Sequence, residues 1–490
     1  MSSLDLAVVV TYCALSLGVG LWVARHQETA GDYFLGARNL PAWAILLSIV
    51  ATETSAVTVI SIPGTGARGD LTFLQLALGF VIGRIAIAAW LLPGYFRGEQ
   101  ETAYARLESR FGTPTRRVMS MVFLATRFLG DGVRVFASAI PLTLVTGWSP
   151  PLSIAVIGLV TMVYTWFGGF KAVVWADVFQ LAVYLSGGVA ALWIALQLAG
   201  GPDVALAAAA AAGKLRVFNI APSFTMTYTL WGGLIGGAML SAASHGTDHL
   251  IVQRLLATRS LRDARVALVG SGVVVFLQFL LFLLIGTAIW AAGLAARTIP
   301  SDQIFPKFVI EQLPAGLAGL MIAGILAAAM GTHSSAINAL ASSLTHDLYA
   351  GFTGRKDPVH LLRIGRIFSA FWAVALMLGA LLFYYYDRDG RTPVVILALS
   401  IASIAYGGVL GAYVLSGPRF RVSGRDVIVG VAGSLAIMLV VFFARRLAEH
   451  AAFAWLAPAG RVAWPWYVPL GTLLTVGLAS ASNRLSRVKP

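Results

Sequence analysis

Long apolar runs recur along the whole chain, and they constrain its fold more than any other feature of the sequence. A helix needs about 20 mostly apolar residues to cross a bilayer. Only 11% of the residues are charged, about half the share of a soluble domain. We therefore predict an all-α membrane protein whose single polytopic domain covers residues 1–490. The predicted spans are 5–24, 42–66, 71–95, 118–147, 151–168, 173–199, 226–250, 264–294, 315–347, 362–385, 393–416, 426–444 and 463–482.

The basic residues predict how these spans are oriented. With the N-terminus placed outside, the inside segments hold roughly twice as many Lys and Arg residues as the outside segments, as the positive-inside rule requires. We therefore predict the inner (plasma) membrane, with the C-terminus in the cytoplasm. The net charge of +14 then needs no nucleic-acid partner, because the basic residues are spread over short loops. The single cysteine, Cys13, excludes an intrachain disulfide.

Polar side chains surround the second span at positions 52–55 and 58, so no rotation of a helix hides them all from lipid. A helix unwound here would free carbonyl groups to bind a cation and N–H groups to bind an anion. The alternative is an intact helix, packed on all sides, with satisfied hydroxyls. Glu53 is the residue that this alternative explains least well, because a charge at mid-membrane is costly.

Hydroxyl groups lie near the middle of the ninth span, at Thr332, Ser334 and Ser335. Ala328, Thr332 and Ser335 share one stripe of a helix. Hard cations such as Na⁺ prefer oxygen ligands, which hydroxyl and carbonyl groups supply. Alternatively, each hydroxyl bonds back to a carbonyl of its own helix.

Charged residues occur in two further spans. Asp177 is either a cation ligand or an interfacial carboxylate. Arg127, Asp131 and Arg134 share one helical face, and Asp131 can neutralise only one of the two arginines. The remaining guanidinium suits an anion such as a carboxylate. The alternative is a structural ladder of ion pairs to another helix.

The layout of the spans predicts two repeats. Five spans lie in 42–199 and five in 226–416, and each group opens with a helix that could be interrupted. The second of these, WGGLIGG at 231–237, indicates either close helix packing or a break. This arrangement is typical of inverted repeats that enclose a mid-membrane site. Residues 5–24 form an extra N-terminal helix, and 426–482 form two C-terminal helices; 96–117 and 200–225 are interpreted as connecting loops.

Several segments resemble the sodium:solute symporter family, which contains the sodium/glucose, sodium/proline and sodium/sialic acid transporters. The resemblance covers nearly the whole chain. It implies a leucine-transporter-like core of ten helices, with one extra helix before it and two after, and alternating access driven by a sodium gradient. The matching segments are YFLGAR (33–38), GGFKAVVWADVFQ (168–180), TDHLIVQR (247–254), SAINAL (335–340) and THDLY (345–349).

The resemblance also implies two cation sites, so one or two Na⁺ ions are expected. In the first site, Gly331 stands where relatives usually have a serine. One hydroxyl ligand is therefore missing, and the site is expected to be weaker or to recruit Glu53. The first site is Ala51, Thr54, Ala328, Gly331 and Thr332; the second is Asp177, Ser334 and Ser335.

For the substrate, the resemblance implies a hydroxyl pair, Ser55 and Thr58, together with an arginine that binds a carboxylate. The arginine is Arg134 or Arg127. Gln75 is a further candidate for substrate binding, and Glu53 and Asp131 are candidates for coupling or gating. We therefore predict a secondary active Na⁺ symporter that imports a small, carboxylate-bearing organic solute.

Other functions remain as alternatives. Within transport, these are a sugar or polyol, a neutral amino acid, proton coupling through Glu53, or a cation-independent variant. A membrane-embedded enzyme or a receptor belongs to another class. No span contains H-E-x-x-H or G-x-S-x-G, so the chain is not predicted to be an enzyme. The expected partners are the lipid bilayer and a small solute, with the protein as a monomer or weak homo-oligomer.

Overall fold

The computed structural model describes residues 2–23, 28–98, 100–386 and 394–488. Within these ranges the chain is all-helical, as predicted, apart from turns, loops and one isolated bridge between Leu40 and Thr258. The helices are α1 (Ser3–Val23), α2 (Ala30–Leu35), α3 (Ala42–Glu53), α4 (Ala56–Arg68), α5 (Leu74–Trp90), α6 (Leu92–Tyr95), α7 (Ala105–Phe111), α8 (Thr113–Thr146), α9 (Pro150–Leu198), α10 (Pro202–Ala211), α11 (Ala238–Gly246), α12 (His249–Leu256), α13 (Leu261–Ala291), α14 (Ser301–Gln312), α15 (Leu317–Ser343), α16 (Ala350–Thr353), α17 (Pro358–Tyr386), α18 (Val394–Leu415), α19 (Gly424–Leu447) and α20 (Tyr467–Val488). Two π-helical turns, Gly232–Gly237 and Leu344–Tyr349, precede α11 and follow α15, and short 3₁₀ turns lie at Gly36–Arg38, Ala451–Leu456, Ala459–Arg461 and Trp464–Trp466.

Five of the described helices are long and apolar enough to cross a membrane. A sixth span is formed if α3 and α4, which are bent by 67° at their junction, count as one broken helix. Several of the other predicted spans correspond to shorter apolar helices. The total of thirteen spans therefore stays a prediction. The five helices are α9, α13, α15 with its continuation to Thr353, α17 and α19.

Three connecting segments differ from their predictions. Residues 169–172, expected as a loop, are part of α9, which changes direction at Gly169. Gly169 has φ 55° and ψ −159°, a conformation that only glycine adopts without strain, so it joins two helices without a loop. The segments 96–117 and 200–225 contain the helices α7 and α10, although loops were favoured there.

Helix α15 lies at the centre of the molecule. Within its most apolar 18-residue stretch, 94% of residues are buried, and α9 packs along it. Its glycine and alanine residues permit this close approach; a Cβ on Gly324 would lie 2.9 Å from the Cα of Tyr184 in α9. At its N-terminus, Asp5 of α1 accepts hydrogen bonds from the amides of Gly316 and Gly319 at 2.8 Å each. The hydroxyl groups of α15 are therefore held far from lipid.

Two interruptions in the described helices each lie in the first part of a predicted repeat. The first interruption separates α3 from α4 at Thr54 and Ser55. The second separates α11 from α12 at Thr247 and Asp248, several residues beyond the glycine-rich segment. The glycines themselves serve packing, because a Cβ on Gly233 would lie 2.7 Å from the backbone of α5. We refer to these two interruptions as the first and second break.

Candidate cation and substrate sites

At the first break the backbone releases two carbonyl groups. In a continuous helix the amide of Ser55 would bond to the carbonyl of Ala51, but it bonds instead to the carbonyl of Glu53, at 3.1 Å. The amide of Thr58 likewise bonds to Ser55 rather than to Thr54, at 2.9 Å. The carbonyls of Ala51 and Thr54 are thus free of their helical bonds, as the cation hypothesis requires.

The helix that follows the first break has an uncapped N-terminus. Ser55 is the N-cap residue of α4, but its side chain makes no capping hydrogen bond. The first amides of any helix lack intrahelical acceptors, and the helix dipole makes this end favourable for an anion. The first break therefore presents carbonyl oxygens on one side and amide hydrogens on the other.

One hydroxyl of α15, that of Ser335, lies beside the end of α3, just before the first break. The Oγ1 of Thr52 and the Oγ of Ser335 are 3.3 Å apart. Thr332 donates its hydroxyl hydrogen to the carbonyl of Ala328 at 3.0 Å, and Ser334 and Ser335 both donate to the carbonyl of Gly331. The hydroxyls thus make the back-bonds of the alternative reading, but each oxygen keeps lone pairs with which it can bind a cation.

The second candidate cation site already contains a positive charge. Asp177 and Arg254 are both fully buried, and the Nη2 of Arg254 lies 2.9 Å from the Oδ2 of Asp177. Arg254 also donates to Ser48 at 2.9 Å and to Ser335, while Ser48 donates to Asp177 at 2.6 Å. The guanidinium therefore occupies part of the ligand set formed by Asp177, Ser334 and Ser335.

The face of α8 that carries Arg127, Asp131 and Arg134 has a smaller net positive charge around it than the sequence predicts. The reason is that Asp248, at the second break, lies against this face. Arg127 donates to the Oδ2 of Asp248 through Nε at 3.0 Å and through Nη2 at 2.6 Å. It also contacts Asp131 at 3.4 Å and the hydroxyl of Tyr406. Arg127 thus makes the ion pairs that the alternative reading expects.

Arg134 is bound far less completely than Arg127. Its one described side-chain hydrogen bond joins Nη1 to the Oδ1 of Asp131 at 3.2 Å, and its side chain is 20% exposed. Most of its guanidinium donors are therefore available to a ligand. Of the two arginines proposed for a carboxylate, the geometry favours Arg134.

A cavity of about 960 Å³, measured as empty space including its mouth, lies between the two breaks and α8. The polar residues at its wall include Ser55, Thr58 and Arg134, which the structure brings together. Many of the other lining residues are apolar. The cavity is lined by Thr52, Glu53, Ser55, Val57, Thr58, Ile62, Phe73, Leu76, Phe80, Arg127, Arg134, Leu240, Ser241, Ser244, His245, Leu250, Ile251, Phe279, Ala402 and Tyr406.

Glu53, at the end of α3, is held by a buried basic partner. It forms an ion pair with Arg84 of α5, which also donates to Ser271 of α13 at 2.7 Å. The Nε2 of His245, one residue before the end of α11, lies 3.4 Å from the same carboxylate. Glu53 thus ties the first break to the end of α11, and its carboxylate points to Arg84 and His245.

Gln75 is not brought to the cavity. Its amide oxygen accepts a hydrogen bond from the backbone amide of Asn219 at 3.0 Å, and its nitrogen donates to the carbonyl of Thr72. It therefore fastens the connecting segment 212–230 to the start of α5.

The same connecting segment also holds the end of α4. Lys214 donates to the carbonyls of Ala67 and Gly69 at 2.8 and 2.7 Å, and to that of Gly66 at 3.3 Å. Burial lowers the pKa of Lys214, while the nearby Asp70 acts in the opposite direction. The ammonium group satisfies carbonyls that the last turn of a helix leaves without partners.

Arg84, Arg254 and Asp248 are site residues whose roles the sequence did not reveal. Asp248 and Arg254 were identified only as parts of the segment TDHLIVQR (247–254). A usable signal was present: a carboxylate at mid-membrane, such as Glu53 or Asp177, needs a basic partner somewhere in the chain. The sequence alone cannot say which arginine supplies it.

Comparisons with known proteins identify the family of the chain and its fold. The profile of the sodium:solute symporter family matches residues 33–416. The chain is 30% identical to the human sodium/iodide cotransporter, over 89% of this chain and 69% of that protein. It is 27% identical to a sodium/sialic acid symporter of Aliivibrio fischeri, over 97% of this chain and 92% of that protein. A solved structure of a Na⁺-coupled sialic acid symporter has the same fold, with a TM-score of 0.87, 24% identity, and coverage of 99% and 98% of the two chains.

Proposed function

The chain belongs to the sodium:solute symporter family, and we propose that it imports a small carboxylate-bearing organic anion together with Na⁺ by alternating access. The first break supports this proposal most directly, because it presents free carbonyls and an uncapped helix N-terminus side by side. The solutes named for two relatives, iodide and sialic acid, are both anions at neutral pH.

In this proposal, Na⁺ binds between the first break and α15. The carbonyls of Ala51, Thr54 and Ala328 and the hydroxyl of Thr332 are hard oxygen ligands without a net charge, which suits a monovalent cation. Na⁺ at this place holds the broken helix against the central helix. Inward movement of each Na⁺ then gains about 2.3 kcal/mol per 100 mV of negative-inside potential.

The substrate carboxylate binds at the other side of the first break. The hydroxyls of Ser55 and Thr58, the first amides of α4 and the guanidinium of Arg134 are all hydrogen-bond donors. A carboxylate is the acceptor that matches such a set, and a guanidinium binds it with two parallel hydrogen bonds. The apolar residues that line the cavity, among them Phe73, Phe80 and Phe279, are left for the body of the solute.

We propose further that one Na⁺ accompanies each substrate molecule. Arg254 supplies the positive charge that Asp177 needs, so the second ligand set has no net charge left to attract Na⁺. Uptake should therefore depend on Na⁺ with a Hill coefficient near one, both in the native protein and in the variant Asp177→Asn. A Hill coefficient near two that falls to one in Asp177→Asn would instead show that Na⁺ also binds at the second candidate cation site.

The finer topology is also part of the proposal: thirteen spans, two inverted five-helix repeats at 42–199 and 226–416, the N-terminus outside and the C-terminus inside. Single cysteines in a Cys13→Ser background can test it. A membrane-impermeant maleimide applied to intact cells should label Ala210→Cys in α10 and not Lys356→Cys, which lies after α16. The reverse pattern would invert the topology.

The function itself is tested by uptake into proteoliposomes. An inward Na⁺ gradient, an inward H⁺ gradient and no gradient are compared across a panel of organic acids, neutral amino acids and sugars. The proposal expects Na⁺-driven accumulation of an acid. Accumulation of a sugar would leave Arg134 with a structural role only, and equilibration without any gradient would mean that coupling to Na⁺ is absent.

A further inference from the structure

Arginines from four separate segments lie around one point of the surface, where α7, the segment before α19, α19 itself and α20 meet. Arg110, at the end of α7, donates to the carbonyl of Phe420 at 3.0 Å. Asn483 of α20 donates to the carbonyl of Arg421 at 2.8 Å. All of the arginines gathered here are exposed. We refer to them as the arginine surface, which consists of Arg110, Arg419, Arg421, Arg425 and Arg484.

Two acidic side chains occur in the same segments, and both have other partners. Asp426 is 2% exposed and accepts a hydrogen bond from Ser482 through Oδ1 at 2.6 Å. Glu108 forms a salt bridge with Arg116 at 2.7 Å. Within the described part of the chain, three arginines of the surface form no salt bridge and no side-chain hydrogen bond, so their guanidinium donors are available to an anion. These three are Arg419, Arg425 and Arg484.

An exposed apolar stripe of α19 begins next to Arg425. Its residues follow Arg425 at intervals of three or four positions, so they share one side of the helix. Val429 and Phe443, at the two ends of this stripe, are 45% and 47% exposed. Because α19 is long and apolar enough to cross a membrane, the stripe is a side of the helix that lipid chains contact. The stripe consists of Val429, Ala432, Ala436, Val440 and Phe443.

We propose that the arginine surface binds the headgroup phosphate of an anionic phospholipid, whose acyl chains lie along the stripe of α19. A guanidinium binds a phosphate with two parallel hydrogen bonds. The proposed topology places this end of α19 at the cytoplasmic leaflet, where anionic lipids are found. Charge alone would suit a soluble phosphate equally well. The apolar stripe that continues from the arginines favours the lipid, because only a lipid has chains that can occupy it.

The test measures the melting temperature of the full-length protein in detergent, titrated with phosphatidylglycerol or with phosphatidylcholine that carries the same acyl chains. We expect phosphatidylglycerol to give half-maximal stabilisation at a concentration at least about tenfold lower than phosphatidylcholine does, because only its headgroup has a net negative charge. Glycerol 3-phosphate, which has the charge and no chains, is the third probe. It should not stabilise the protein at the concentrations at which phosphatidylglycerol does.

The matching variant replaces the three arginines that have no described partner, and it should therefore fold. We expect its half-saturation by phosphatidylglycerol to rise at least about tenfold and its response to phosphatidylcholine to stay unchanged. The control variant also removes three exposed positive charges, just before and within the start of α17, and should stay within about twofold of the native value, because distant surface charges are screened. The variant is Arg419→Gln, Arg425→Gln and Arg484→Gln; the control is Arg355→Gln, Lys356→Gln and Arg363→Gln.

Three outcomes would overturn the inference. Equal stabilisation of the native protein by both lipids would remove the selectivity for an anion. An equal loss of the response in both triple variants would assign it to net charge and not to the arginine surface, and stabilisation by glycerol 3-phosphate at the same concentrations would make the ligand a soluble phosphate. Native mass spectrometry of the unmodified protein in an equimolar mixture of the two lipids needs no variant, and it should show bound phosphatidylglycerol in preference. None of these measurements involves Na⁺ or the solute, so the proposed function stands or fails separately.

Discussion

The two breaks begin with the same kind of residue, and the helices that follow them begin in opposite ways. Each begins with a threonine that bonds back to its own helix: Thr54 donates to the carbonyl of Val50, and Thr247 to that of Ala243, both at 2.8 Å. The next residue is Ser55 at the first break and an aspartate at the second. The side chain of this residue caps the following helix at the second break and leaves it uncapped at the first.

The second break is closed by its own aspartate. Asp248 accepts the amide of Leu250 through Oδ1 at 2.9 Å, which caps α12, and it accepts Arg127 and Tyr406 through Oδ2. Ser55 makes no such cap, and α4 begins with unsatisfied amides. A broken helix is therefore a binding site only where the side chains after the break leave its backbone groups without partners. In this sense Asp248 does for α12 what a substrate carboxylate would do for α4.

The largest expected effect is a loss of stability when the carboxylate of Asp248 is removed from the second break. Asp248→Ala leaves Arg127 buried without its main partner, and the loss of one member of a buried ion pair costs about 3–5 kcal/mol. We expect a marked fall in the melting temperature of the detergent-solubilised protein. Asp203→Ala, which removes an exposed aspartate at the start of α10, is the control and should change stability by less than about 1 kcal/mol. Equal stability of the two variants would mean that Asp248 does not close the break.

Removing the guanidinium of Arg134, which lines the cavity at the first break, should weaken substrate binding and leave the stability of the protein largely unchanged. In Arg134→Ala, substrate half-saturation is expected to rise at least about 30-fold, since truncating one partner of a buried charged pair costs about 2–5 kcal/mol. Uptake of the acid found in the panel measures this effect, with the exposed Arg262→Ala as the control. Native uptake of the acid by Arg134→Ala would remove Arg134 from the substrate site and turn attention to Arg127.

Ser55→Asp introduces at the first break the residue type that caps the helix after the second break. The new carboxylate should cap α4 and compete with the substrate carboxylate for the same amides and for Arg134. A helix cap contributes about 1 kcal/mol, so substrate half-saturation should rise about fivefold or more. Ser55→Ala, which lacks the carboxylate, distinguishes competition from simple loss of the hydroxyl. If both variants bind substrate equally well, the open N-terminus of α4 is not the anion site.

The smallest expected effect concerns the carbonyl side of the first break. Thr332→Ala removes one neutral oxygen ligand, and a contribution of about 1 kcal/mol corresponds to about a fivefold rise in Na⁺ half-saturation. Thr345→Ala is the matched control, because Thr345 is buried and makes the same bond to a carbonyl four residues earlier. An unchanged Na⁺ half-saturation in Thr332→Ala would show that the cation binds elsewhere.

Local features of the sequence predicted the first break well. Its polar residues at 52–55 and 58 surround a helix, and the structure interrupts the helix at Thr54 and Ser55. Ser55, Thr58 and Arg134 also line one cavity, and their role in substrate binding stays a prediction. The prediction of the break succeeds because a polar residue at membrane depth is costly whatever its neighbours are, so its position alone carries information.

Pairings between distant residues could not be predicted in the same way. The bonds of Arg254 to Asp177 and of Arg127 to Asp248 connect residues 77 and 121 positions apart. Composition shows that each carboxylate needs a partner, but only the packing of the helices decides which arginine supplies it. The second break was not located for a related reason: the glycines at 232–237 are a stronger local signal than Thr247 and Asp248, yet they serve close packing.

The adjacency of Thr54 and Ser55 has a thermodynamic consequence. In the proposed function, the carbonyl of Thr54 belongs to the cation site and the hydroxyl of Ser55 to the substrate site, so one peptide unit is ordered by both ligands. Each ligand then binds to a backbone that the other has already ordered. The resulting cooperativity must be reciprocal: Na⁺ raises the affinity for the substrate by the same factor by which the substrate raises the affinity for Na⁺.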